Sequence, residues 1–262
     1  MKTSPMKKGL LFVMLIAFSH FVMAQDTSIL SVITTHDDLD LSDVDLVAIP
    51  AHGPYMLAGS TVSSLTEDTE LPELVFPDSM MVDDIVWTGK EFIVKSGYEI
   101  YRFDKIDEPL IDFDVANYDI FSLDEKRIYA VSHHGDTSQL FLVNLKVKRA
   151  KHLLTLGEEI ICMSRIGEAT MVVTTENIYL FDDNEKKCTH YLNLWTPIHT
   201  AVMTHLGLFF ATDNEICLLT NVNEFMLLFE TRTKKLLYDN RYLYIQLKEG
   251  DLLQCNLNML SF

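Results

Sequence analysis

Ile160-Ile161-Cys162-Met163, Met171-Val172-Val173, Ile178-Tyr179-Leu180-Phe181 and His190-Tyr191-Leu192-Asn193-Leu194 are four short strand-like runs packed into residues 160–194. The first three are almost wholly apolar, as strands buried on both faces are, and the fourth is more polar. The same order recurs upstream as Ile85-Val86-Trp87, Phe92-Ile93-Val94, Glu99-Ile100-Tyr101-Arg102-Phe103 and Leu110-Ile111-Asp112-Phe113. It recurs downstream from His199 through Leu208-Phe209-Phe210 and Ile216-Cys217-Leu218-Leu219 to Phe225-Met226-Leu227-Leu228-Phe229. The first apolar residues of successive third strands are Val62, Ile100, Leu140, Ile178, Ile216 and Leu252, at intervals of 38, 40, 38, 38 and 36 residues. Chance alternation of strands does not hold so narrow a register over five intervals.

Units of about 40 residues with four short strands each resemble the blades of the β-propeller superfamily. The resemblance is to the fold, over nearly the whole chain after its first two dozen residues. It implies an all-β, six-bladed ring of four-stranded sheets in one domain, residues 25–262. The Trp-Asp dipeptide, the Tyr-Trp-Thr-Asp motif and the Asp-box are absent from the sequence. Pro72, Pro77 and Pro109 fall at or beside fourth strands, the outer edges where a missing N–H is tolerated. Lys148, Arg149 and Lys151 charge another such edge against unwanted pairing. The last unit ends after three strands, whereas Ser28-Ile29-Leu30-Ser31-Val32-Ile33-Thr34 precedes the first unit. We therefore expect this N-terminal stretch to complete the last blade and close the ring. Residues 44–76 match the pattern least well, and five blades is the alternative.

Lys2, Lys7 and Lys8 precede an apolar run, and Val22-Met23-Ala24 places small or aliphatic residues before a cleavage point at Gln25. Residues 1–24 thus read as a signal peptide, too short for the roughly 20-residue apolar span a membrane helix needs. Gln25 stands where a lipoprotein would have Cys, and no later segment is apolar enough to span a bilayer. A periplasmic or secreted protein of a Gram-negative bacterium is expected, and the absence of any Asn-x-Ser/Thr site agrees. With 38 acidic against 21 basic residues, the chain carries −17. That balance argues against nucleic acid and anionic membrane surfaces as partners. Cys162, Cys188, Cys217 and Cys255 form no Cys-x-x-Cys pair. Cys217 and Cys255 lie one period apart, hence on adjacent blades and beyond disulfide reach, so packed free thiols are expected.

In propellers, ligands meet the face that carries the loops from strand four to strand one and from strand two to strand three. The first loop class supplies Asp83, Asp84, Tyr118, Asp119, Glu158, Glu159, Trp195 and His199 here, and the second supplies Lys95, Ser96, His133, His134, Glu176, Asp213 and Glu215. Val131 to Leu140 spans more positions than the corresponding stretches of other units, and the extra residues contain His133-His134-Gly135-Asp136. An extended loop there would set two histidines beside carboxylates, able to hold a divalent cation with help from another blade, or else simply solvated. No phosphate loop, Gly-x-Ser-x-Gly elbow or His-Glu-x-x-His occurs. The expected function is therefore a non-catalytic binding or scaffold protein with an acidic channel face, without a cofactor. Its partner would be a protein or glycan of the cell envelope or extracellular space. The alternative is a metal-dependent lactonase, lyase or hydrolase with a divalent cation at the channel mouth.

Overall fold

The structure is a computed structural model, and it describes residues 29–33, 40–66, 73–113, 117–124, 127–182, 187–220 and 224–260. The proposed leader lies outside the described residues, as do Pro72 and the two ends of the N-terminal stretch. Among the described residues, twenty-four strands form six antiparallel four-stranded sheets. Blade 1 is β2 (Asp45–Ile49), β3 (Gly53–Ala58), β4 (Thr61–Ser64) and β5 (Leu74–Val75). Blade 2 is β6 (Asp84–Trp87), β7 (Phe92–Ser96), β8 (Glu99–Arg102) and β9 (Ile111–Asp112). Blade 3 is β10 (Tyr118–Asp124), β11 (Arg127–His134), β12 (Thr137–Asn144) and β13 (Arg149–Leu156). Blade 4 is β14 (Ile160–Ile166), β15 (Ala169–Thr174), β16 (Asn177–Asp182) and β17 (Lys187–Asn193). Blade 5 is β18 (Thr200–Thr204), β19 (Gly207–Ala211), β20 (Glu215–Thr220) and β21 (Phe225–Glu230). Blade 6 is β22 (Thr233–Tyr238), β23 (Tyr242–Leu247) and β24 (Leu252–Asn256), with β1 (Leu30–Val32) beside β24 in the register Leu30↔Cys255, Ser31↔Gln254 and Val32↔Leu253. The first strands touch in cyclic order, β2 to β6, β10, β14, β18, β22 and back to β2, so the blades stand around one axis. The protein is a six-bladed β-propeller, with blade 1 present despite its weak repeat.

The core is divided among the seams. Six apolar clusters each join two neighbouring blades and together run around the ring. Ile93, Val131, Val172, Phe209 and Leu243 of the second strands are fully buried, since each second strand is covered on both faces by flanking blades. Sheets packed this way need bulky side chains on alternate sides, which explains why the inner runs read as continuous hydrophobics rather than as a period-two pattern.

One local expectation is corrected. His133 and His134 do not lie in an extended loop: β11 and β12 are each eight residues long and continue the ladder to His134↔Thr137. The turn is only Gly135-Asp136, with Gly135 at φ +59°. The additional residues of this unit lengthened two strands, because Val131, Ser132 and Ser138 are buried and hold the hairpin extended. Gly207 carries a stricter requirement. Its φ is +139°, and a Cβ there would sit 2.2 Å from the carbonyl oxygen of Leu219 on the paired strand.

All four cysteines are free. Burial pushes the Cys162 thiol up to about 12, and pushes Cys217 and Cys255 up to about 11, so none is a thiolate near neutral pH.

Candidate ligand-binding face

Antiparallel strands that start at the axis put every four-to-one and two-to-three connection on one face. The strand order sets the loops that carry the expected ligand-binding residues on that face, but the side chains fall into separate groups rather than one pocket.

Asp84 is at the axis. Its carboxyl feels Lys235 on blade 6 and Asp119 on blade 3. Blades 2 and 6 are separated by blade 1, so an electrostatic contact between their inner strands must cross the channel. Burial pushes Asp84 up to about 6, and Asp119 adds to this; Lys235 and the N–H groups of Ile85 and Ile120 pull the other way. Lys235 is itself anchored, its Nζ donating to the carbonyl of Leu46 at 2.8 Å. Asp83, one residue earlier, faces outward and accepts the Gly97 N–H at 2.6 Å, bracing the β7–β8 turn.

Tyr118 is fully buried at the seam of blades 2 and 3, so its ring is not offered to a partner from solvent. Phe113 stacks on it at 4.7 Å between centroids, and the Lys95 ammonium lies 4.8 Å from its ring centre. Burial raises its phenol, and the surrounding carboxylates, Asp83 foremost, raise it further.

On blade 3, His133 Nε2 lies 3.0 Å from Asp119 Oδ2, and His133 Nδ1 lies 3.3 Å from the Ser138 hydroxyl. Asp, His and Ser in this order have the connectivity of a hydrolase relay. Here the hydroxyl is fully buried and already accepts the Ile160 N–H at 2.9 Å, leaving a substrate carbonyl no approach. The relay instead ties blade 3 to the inner strand of blade 4. His134 points away from it and pairs with the Ser132 hydroxyl at 3.0 Å. The two histidines therefore do not converge, as alternation along a strand requires.

Blade 4 holds a polar network that the candidate residues only touch. The Glu158 carboxylate accepts from Asn177 Nδ2 and Tyr179 OH, each at 2.8 Å, and from the Thr174 hydroxyl. Asn177 Oδ1 in turn meets His190 at 2.9 Å and Asn193 at 3.0 Å. On blade 5, His199 Nε2 lies 2.8 Å from the carbonyl of Thr233, and Asp213 reaches toward Lys248 at 3.9 Å, both contacts crossing to blade 6. Glu215 lies across the β20–β21 ladder from Glu230. Trp195 is 62% exposed and covers Phe225 at 4.3 Å between centroids. Phe225 belongs to the outermost strand of blade 5, so Trp195 marks the periphery of the ring, away from its axis.

Sequence reading missed Lys235 and the Ser138 hydroxyl, and it placed Glu158 on the face only as one loop carboxylate among several, without the network it centres. For Lys235 a signal existed: Lys234-Lys235 interrupts an otherwise apolar first strand. Among the described residues, no three His, Cys, Asp or Glu side chains come together as a group able to hold a metal ion. Among them also, no helix is long and apolar enough to cross a membrane.

This fold and face define a six-bladed propeller with a charged axis and a loop-bearing rim. No family model matches the sequence, and no curated protein matches it. Solved structures do match in fold. The extracellular domain of BT4673 from B. thetaiotaomicron superposes with a TM-score of 0.56 at 13% identity, over 80% of this chain and 32% of that one. This chain thus corresponds to about a third of that protein's length. Virginiamycin B lyase from Staphylococcus aureus gives 0.55 at 12% identity, over 87% and 99% of the two chains. A luciferin-regenerating enzyme gives 0.64 at 12% identity, over 89% and 97%. Identities this low speak to architecture alone.

Proposed function

We propose that this chain is an exported, non-catalytic binding propeller, one domain after a leader at residues 1–24, working in the periplasm or at the cell surface. Its loop-bearing face holds a basic segment of a protein, or a glycan, against a dispersed acidic rim. The observation that carries this reading is the distribution of the carboxylates. Asp119 has a side chain 56% exposed and Asp213 one 89% exposed, and they stand on different blades, as contact points spread over a broad partner rather than groups focused on one reacting atom. The polar groups that do cluster, around Ser138 and Glu158, are occupied by intramolecular bonds that brace the scaffold.

The test is capture from the envelope fraction of the native source. Asp213→Lys and Asp119→Asn together should reduce retention of the bound partner at least tenfold, with folding followed by the melting temperature because Asp119 also pairs with His133. Unchanged capture would remove the face from consideration. Stoichiometric Ca²⁺ or Zn²⁺ in purified protein, accompanied by turnover of a lactone or glycan, would replace this reading with the enzyme one. Mature protein beginning at Gln25 is the expected result of N-terminal sequencing.

A further inference from the structure

A cavity of about 300 Å³ opens between blades 2 and 3, on the face opposite the loop-bearing rim. Acidic residues outnumber basic ones in the chain by 38 to 21, yet the cavity wall carries Arg102, Lys105, Lys146 and Lys148 against the single carboxylate of Glu108. Local folding puts them there. Arg102 ends β8, and two successive turns follow, with the Lys105 N–H donating to the Arg102 carbonyl at 3.0 Å and the Glu108 N–H to the Lys105 carbonyl at 3.3 Å. Spacing by three residues per turn brings all three side chains to one side of the loop.

The other wall is the β12–β13 turn. Asn144 Oδ1 accepts the N–H groups of Lys146 at 3.0 Å and Val147 at 3.2 Å, which fixes the turn. Lys148 then takes φ +50°, a left-handed conformation that glycine adopts freely and lysine holds at a cost of about 1 kcal/mol. That strain turns Lys148 toward the cavity, where its ammonium meets Glu108. Arg102 is held from behind by an ion pair with Glu91, Nε to Oε2 at 3.2 Å. Leu110 and Leu145 supply an apolar surface between the cations.

We propose that this cavity is a binding site for a small organic anion, a carboxylate- or phosphate-bearing molecule whose carbon frame rests on Leu110 and Leu145. Its volume sits at the small end of ligand sites. The excess of positive groups draws anions against the field of an acidic protein, and Glu108 occupies part of the cluster until a ligand exchanges with it. The site shares no residue with the loop-bearing face, so either reading can fail without the other.

Titration calorimetry with glucose 6-phosphate, glucuronate, inorganic phosphate and neutral glucose tests it. The two sugar anions should bind, with affinity falling as salt rises, and glucose should not. Lys148→Gly fits the local backbone, so its melting temperature should hold or rise while sugar-anion affinity falls at least fivefold. Lys105→Gln with Lys146→Gln should weaken it further. Absence of binding by both sugar anions at millimolar concentration, equal binding of glucose, binding of inorganic phosphate alone, or full affinity in Lys148→Gly would each overturn the proposal.

Discussion

Two kinds of seam hold this ring together. Between blades 3 and 4 and between blades 5 and 6, a short hydroxyl caps the inner strand of the next blade: Ser138 accepts the Ile160 N–H at 2.9 Å, and Thr200 accepts the Leu236 N–H at 3.1 Å, the latter beside the His199 contact to Thr233. Between blades 6 and 1 the bonds come from long side chains. Lys234 Nζ donates to the carbonyls of Ser42 at 2.6 Å and Val44 at 3.0 Å, and Lys235 reaches Leu46. Gln246, fully buried, gives its amide to Leu41 at 2.6 Å and Val44 at 2.9 Å. A register shift in the β22–β23 ladder between Thr233 and Lys235 lets adjacent lysines both reach blade 1. Through β1 the chain passes from blade 6 to blade 1 as it does between other neighbours, but the three inner strands of blade 6 come from the opposite end of the sequence. At this seam side-chain donors tie those inner strands to blade 1.

Five measurements probe these seams and the blades they join. The largest effect belongs inside a blade, away from any seam. Gly207→Ala forces a Cβ onto a backbone oxygen at a disallowed φ, and should cost roughly 3–4 kcal/mol in urea unfolding. Next, deleting residues 26–35 removes β1 and the apolar contacts of Ile29 and Leu30 with the blade 5–6 cluster and of Ile33 with the blade 6–1 cluster. A loss of about 3 kcal/mol is expected, and an unchanged melting temperature would mean that β1 does not latch blade 6. Gln246→Leu at the closing seam should cost about 2 kcal/mol, because carbonyls buried there lose a donor. Ser138→Ala at an ordinary seam should cost about 1 kcal/mol; if it equals or exceeds the Gln246 change, the two seams do not differ as described.

The smallest effect is pH-dependent. The folded Asp84 carboxyl, pushed up to about 6 from an ordinary 3.8, holds its proton more tightly than in the unfolded chain. Its contribution is therefore fully present below about pH 4 and is lost as pH rises through 6. Asp84→Asn should flatten the stability profile over that window by about 1 kcal/mol, the roughly 3 kcal/mol of a fully buried group being reduced by solvent screening of this half-buried carboxyl; identical profiles for the two proteins would show that Asp84 is not buried at the axis.

The blades were legible because the first apolar residue of every third strand fills the equivalent seam of its blade, so Val62, Ile100, Leu140, Ile178, Ile216 and Leu252 kept their phase. The candidate face was legible only as a set of loops. Whether Asp84 meets Lys235 depends on the rotation of each blade about its radius, which a linear pattern does not encode. His133 and His134 were placed in a loop because counting positions between strands cannot distinguish a longer loop from a longer ladder. Burial of Ser132 and Ser138 decided it, and small hydroxyls give no hydrophobic signal. The Lys105 and Lys146 cavity escaped notice because charged turns look alike until two of them face each other.

The buried thiols have a use that follows from their placement. Cys188 packs in the wedge of blades 3 and 4, Cys162 and Cys217 in that of blades 4 and 5, and Cys255 in that of blades 5 and 6. Cys162 and Cys255 are buried, so each reacts with an alkylating probe only when its own wedge parts, whereas the half-buried Cys188 and Cys217 are reached more readily. Labelling of the buried pair followed by peptide mapping then reads the breathing of two neighbouring joints separately, in the unmodified molecule and without an added reporter.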